Sequence, residues 1–152
     1  MKPIEIKIHG STNQTPHEIC AFFLETERWP EFTGYSILPG IKQARFENKT
    51  PDLVGSRIRV LNTDGSSHVE EIVEWDEDNK IVLRFQEFSA PLQHLATHFI
   101  ETWEFRRTGA KTELTRSMTF HPKGILSWLM LIPISRLMKK AFEQNAHQAA
   151  TQ

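Results

Sequence analysis

TELTRSMTFHPKGILSWLMLIPISRLMKKAFEQNAHQA, residues 112–149, carries two hydrophobic periods in succession. From Thr112 to His121 the residues alternate: Leu114, Arg116, Met118 and Phe120 share one face, and Glu113, Thr115, Ser117 and Thr119 the other. That is the period of a strand with one side buried. Beyond Gly124 the apolar positions spread to Ile125, Leu129, Ile132, Leu137, Met138 and Phe142, with Arg136, Lys139 and Lys140 among them. This spacing predicts an amphipathic helix over 125–149, kinked near Pro133. A strand running into one long terminal helix needs a sheet for that helix to cover.

The sheet is found upstream. Segments near 41–47, 55–62, 67–75, 80–88, 94–107 and 112–121 are rich in β-branched and aromatic residues and are divided by short turn signals. The alternation of Ile4, Ile6 and Ile8 with Glu5 and Lys7 adds a strand at 3–9, which makes seven. Thr15-Pro16 with Glu18 reads as a helix start, giving a short helix over 16–25, and Arg28-Trp29-Pro30 opens a second helical turn through Glu31 and Phe32. No linker or repeat interrupts the 152 residues, so one domain, 1–152, is expected. The fold class is α+β: a curved antiparallel sheet gripping a C-terminal helix, the only element long enough to cover the sheet's dry face.

Composition excludes several functions. Net charge is −1, from 18 basic and 19 acidic residues with no block of like charges, which argues against nucleic acid as a partner. The apolar run Ile125–Ile134 covers about half of a roughly 30 Å hydrocarbon core, so no transmembrane segment is expected and the run is read as buried by the sheet. A lone cysteine, Cys20, and an alternating N-terminus point to a cytoplasmic location. His94 and His98 have helical metal spacing but fall on a strand and lack the glutamate of a zinc helix, so no metal is expected. No phosphate-binding glycine motif or nucleophile elbow occurs, and no cofactor or catalytic residue is assigned.

Several local pieces resemble one superfamily in order and spacing. These are Ala21-Phe22-Phe23 through Arg28-Trp29-Pro30-Glu31-Phe32, Val54-Gly55-Ser56-Arg57, Glu74-Trp75-Asp76 leading to Lys80-Ile81, and Thr112-Glu113-Leu114-Thr115. Together they resemble the START-related helix-grip superfamily, which includes polyketide cyclases/dehydratases and lipid-transfer domains. The resemblance implies a cavity between helix and sheet, commonly for an apolar or amphipathic small molecule. It implies no single chemistry.

Alternation then assigns side chains to the cavity. Inward faces are expected to be Val69, Glu71, Val73 and Trp75 on the fourth strand, and Ile81, Leu83, Phe85 and Glu87 on the fifth. The sixth sends in Leu95, Thr97, Phe99, Glu101, Trp103 and Phe105. If Phe105 faces Leu114 across the 108–111 turn, Trp103 opposes Arg116 and Glu101 lies diagonally within its reach. The expected arrangement is a Glu101–Arg116 pair with the guanidinium over Trp103.

Expected ligand contacts are Arg116, Glu101, Glu71, Trp103, Phe85, Phe99, Met118 and Trp128. Three function classes follow: a carrier of a small apolar molecule; a cyclase/dehydratase- or aromatase-type enzyme using Glu101 or Glu71 as its cavity carboxylate; and a module docking on a partner or membrane through Trp128–Ile134, which requires that stretch to be exposed.

Overall fold

Seven strands form one antiparallel sheet in the order β1-β7-β6-β5-β4-β3-β2. They are β1 (Ile4–Thr12), β2 (Ile41–Asn48), β3 (Arg57–Asn62), β4 (Ser67–Asp76), β5 (Lys80–Gln86), β6 (Ala96–Thr108) and β7 (Lys111–Pro122). The computed structural model describes residues 2–150; Met1, Thr151 and Gln152, which the single-domain expectation includes, lie outside the described residues. Between β1 and β2 come α1 (Pro16–Leu24), capped by Thr15 through a 3.2 Å bond to the Glu18 amide, and a 3₁₀ turn over Thr26–Glu31. The chain ends in α3 (Ile125–Ala150).

The β6–β7 hairpin has the expected register, Phe105 opposite Leu114 and Trp103 opposite Arg116. Gly109 sits in its turn at φ 63°, a left-handed conformation that glycine adopts without a side-chain clash.

Two bulges change faces assigned by simple alternation. In β4 the pairing slips between Ile72 and Glu74, so two residues there oppose one on β5. Val73 is the extra residue, and it is 43% exposed rather than inward. Trp75 keeps its place against the core, but before the bulge the parity is reversed. His68, Glu70 and Ile72 are buried on the covered face, while Val69, itself fully buried, and Glu71 pair across from Arg59 and Arg57 on the opposite side of the sheet. A second slip between Ala96 and His98 turns Thr97 outward, and residues 92–95 form a helical turn, α2 (Leu92–Leu95), instead of the start of β6.

The dry face is covered in two areas, not by α3 alone. α1 and the 3₁₀ turn pack Ile19, Phe23 and Trp29 onto Ile58, Ile72 and Ile81, while α3 packs Leu131 and Phe142 onto Ile6, Met118 and Phe120. The expectation that the sheet buries α3's apolar start holds only in part. Leu131 is fully covered, but Ile125 and Leu126 are 70% and 74% exposed, and Leu129 and Met130 are also exposed. Among the described residues no helix is long and apolar enough to cross a membrane.

Candidate functional site

The space left between the two covered areas is a cavity of about 320 Å³. Protein interiors normally hold few voids larger than a water molecule, so a volume of this size is a structural feature of its own. Apolar walls come from both clusters, with Phe23, Leu83 and Trp29 on one side and Phe99, Met118 and Phe142 on the other. Its rim is made by Ile37–Pro39, by Ala90–Leu92 and by Ile134, Leu137 and Met138 of α3. The 32–41 loop reaches this position because Gly40 lets the chain double back: a Cβ there would lie 2.7 Å from the Phe32 carbonyl oxygen.

Ionisable groups from three strands enter this apolar surround. Arg116 Nε donates to Glu101 Oε2 at 2.7 Å, and Glu101 is only 2% exposed. The guanidinium carbon lies 4.5 Å from the Trp103 ring centroid and 3.5 Å from that of Phe142, so two aromatic rings replace part of its hydration. Arg116 Nη1 also reaches Asn145 Oδ1 on α3 at a long 3.4 Å. The paired charges cancel, which makes the arrangement tolerable away from water.

A second pair was not anticipated. His68 Nε2 and Glu70 Oε2 are 2.9 Å apart, and both residues line the cavity. Burial pushes the Glu70 carboxyl above the usual carboxylate range; the bond from His68 opposes this and is outweighed. The imidazole stacks on Phe85 with ring centroids 5.0 Å apart and 9° between planes, and its Nδ1 lies 3.5 Å from Asn62 Nδ2.

Of the expected ligand contacts, Arg116, Glu101, Trp103, Phe85, Phe99 and Met118 come together around the cavity, and Glu71 and Trp128 do not. Glu71 is on the far side of the sheet because of the β4 bulge, and there it accepts a hydrogen bond from Gln86 at 3.2 Å. Trp128 lies on α3 six residues before Ile134, about 9 Å along the axis, short of the segment that borders the cavity. Glu87, the residue after β5, sits in an outer ion-pair group with Arg57 and Arg59. His94 is on α2, while His98 stacks on His121 at 4.1 Å; among the described residues no group of three metal-ligating side chains forms. His68 and Glu70 were missed because the strand's other parity, Val69-Glu71-Val73-Trp75, is the more apolar. Only the conflict between Ile72 and Trp75, both core residues at odd spacing, marked the bulge.

Residues 7–152 match the model of the family described as polyketide cyclase / dehydrase and lipid transport. The chain belongs to this family. Solved structures share the fold of this cyclase and lipid-transport family member at low identity. A protein of Thermus thermophilus aligns with TM-score 0.70 at 14% identity, over 97% of each chain. Ara h 8.0201 gives 0.67 at 14% over 99% of each. The ginseng (Panax ginseng) major latex-like protein 151 gives 0.64 at 16%, over 92% of this chain and 97% of its own. No curated protein resembles the chain closely enough to count as a match.

Proposed function

We propose that this protein binds and carries a mainly apolar small molecule whose polar end rests on the Glu101–Arg116 pair. The observation that carries this reading is the roughly 320 Å³ of space kept open between apolar walls, in a domain with enough aromatic side chains to fill it. Arg116 spends its Nε on Glu101 and keeps guanidinium donors for a ligand oxygen. Because Glu101 balances its charge, a carbonyl suits the site better than a carboxylate, whose own charge has no free counterion there.

Titration with fatty acids, sterols and aromatic polyketides, followed by tryptophan fluorescence and by calorimetry, tests this. Saturable one-to-one binding is expected for at least one class, and it is expected to be lost in Met138→Trp, which adds bulk at the rim. No binding across all three classes refutes the proposal.

A second reading, docking through the start of α3, is favoured by the exposure of Ile125, Leu126, Leu129 and Met130 beside Lys123. Co-sedimentation with vesicles containing phosphatidylglycerol supports it if Leu126→Glu with Leu129→Glu abolishes the association. It fails if the wild type stays in the supernatant.

A further inference from the structure

We propose that the His68–Glu70 pair is a second polar subsite of the cavity, which takes a hydroxyl group borne on an apolar ring or chain of the ligand. It rests on the reading that the cavity holds such a ligand. The geometry begins with the two oxygens of Glu70. Oε2 is engaged by His68 at 2.9 Å, and among the described residues the other oxygen has no hydrogen-bond partner. Among the described residues the fully covered side-chain atoms without a partner are Trp29 Nε1 and Trp103 Nε1, so the free Glu70 oxygen is not sealed in packing. In a residue that is 4% exposed and lines the cavity, that oxygen opens onto the cavity. A buried carboxyl oxygen facing unfilled space is a vacant acceptor.

The neighbours define what suits it. His68 cannot swing across to serve both oxygens, because its ring is stacked on Phe85, lies 6.2 Å from the Phe88 centroid, and has Asn62 at its other nitrogen. Arg116 is turned to Glu101 and sandwiched by Phe142 and Trp103. The charged groups that act on Glu70 across the cavity are thus Glu101 on β6 and Arg116 on β7, already paired with each other. A ligand carboxylate at Glu70 would meet two carboxyl groups, and an ammonium would have to be buried beside a guanidinium. A neutral hydroxyl avoids both costs.

It also matches the carboxyl in either protonation state. Because burial favours the protonated form of Glu70, the subsite has to function with and without that proton. A hydroxyl donates to the carboxylate and accepts from the carboxylic acid, whereas a carbonyl can do only the second. The two polar positions therefore divide the labour: carbonyl oxygen toward Arg116, hydroxyl toward Glu70.

The test uses the full chain and three probes of similar shape: 2-naphthol, 2-methoxynaphthalene and naphthalene, compared by calorimetry. A hydrogen bond is worth about 1 kcal/mol to the neutral acid and about 1.5–3 kcal/mol to the carboxylate, so 2-naphthol is expected to bind about fivefold or more tightly than naphthalene, and more tightly than 2-methoxynaphthalene once the pH is high enough to ionise Glu70. Glu70→Leu should abolish that preference while leaving naphthalene affinity within about threefold. Glu70→Gln, which keeps an acceptor for His68 and guards against misfolding in the first variant, should narrow it. Equal binding of all three probes to the wild type overturns the subsite and leaves the apolar cavity standing. A preference that survives in Glu70→Leu overturns it by placing the hydroxyl elsewhere. If none of the probes binds, this subsite falls, while the carrier reading is decided separately by the titration with fatty acids, sterols and aromatic polyketides.

Discussion

Arg116→Met removes a charge and keeps most of the volume, so what it costs measures the buried ion pair. Glu101 is 2% exposed and receives Arg116 Nε at 2.7 Å; without the guanidinium its carboxyl remains in an apolar wall between Met118 and Trp103. Breaking a buried pair by removing one partner costs about 3–5 kcal/mol. Loss of the contacts with Phe142 and Trp103 adds about 1 kcal/mol, part of which the methionine thioether restores. The expected total of about 3–6 kcal/mol corresponds to a fall in Tm of roughly 6–24 °C for a chain of this size. Glu101→Gln in the same chain removes the stranded charge, and the double variant should regain about half of the loss or more. Urea unfolding of wild type, both singles and the double closes the cycle at one pH. A single-variant cost below about 1 kcal/mol, or two costs that simply add, would refute the claim that each charge is tolerated only because of the other.

Two further outcomes follow from other buried groups. Glu70 keeps its proton in the folded protein at pH values where the unfolded chain has released it, so folding binds a proton above the ordinary glutamate value of about 4.3 and stability declines as pH rises through that window. Glu70→Gln should therefore gain on the wild type from pH 4 to pH 8 in urea midpoint, and a difference that shrinks with rising pH would contradict this. Burial and the nearby charges of Glu77, Asp76 and Asp78 push the Cys20 thiol up to about 12. At pH 8 the thiolate is then about one molecule in ten thousand, and an aromatic disulfide reagent should label Cys20 only after denaturation; labelling of the native protein at the rate of a free thiol would refute it.

How much of the site was legible depended on how regular each strand is. The β6–β7 hairpin closes through a short turn and stays in register from Phe99 to Thr108, so alternation placed Glu101, Trp103 and Arg116 together from sequence. β4 contains an extra residue, and period-two reasoning carried across Val73 exchanges Glu70 for Glu71. Two adjacent glutamates made that exchange invisible in composition. The helix-grip outline was readable from the order of periods, but the division of cover between α1 and α3 was not, because helix length alone does not say which part of a sheet a helix reaches. The exposed start of α3 escaped for a similar reason: an apolar run announces burial only when there is surface opposite it to pack against.

The strand order also sets a schedule. β1 lies at the sheet's edge and pairs with β7 alone, Ile4 opposite Phe120 and Thr12 opposite Thr112. The first strand to leave the ribosome therefore waits for the last, a delay of roughly 5–20 s at ordinary synthesis rates of about 5–20 residues per second. Contacts this distant in sequence form late in folding as well, since a long loop must close before they are rewarded. Arg116 is delivered by β7, and Phe142 follows it on α3. While the 15 residues from Glu101 to Arg116 are added, Glu101 is thus a carboxylate on a strand whose β7 edge is still open to water, and it is enclosed only when its own cation arrives with the strand that covers it.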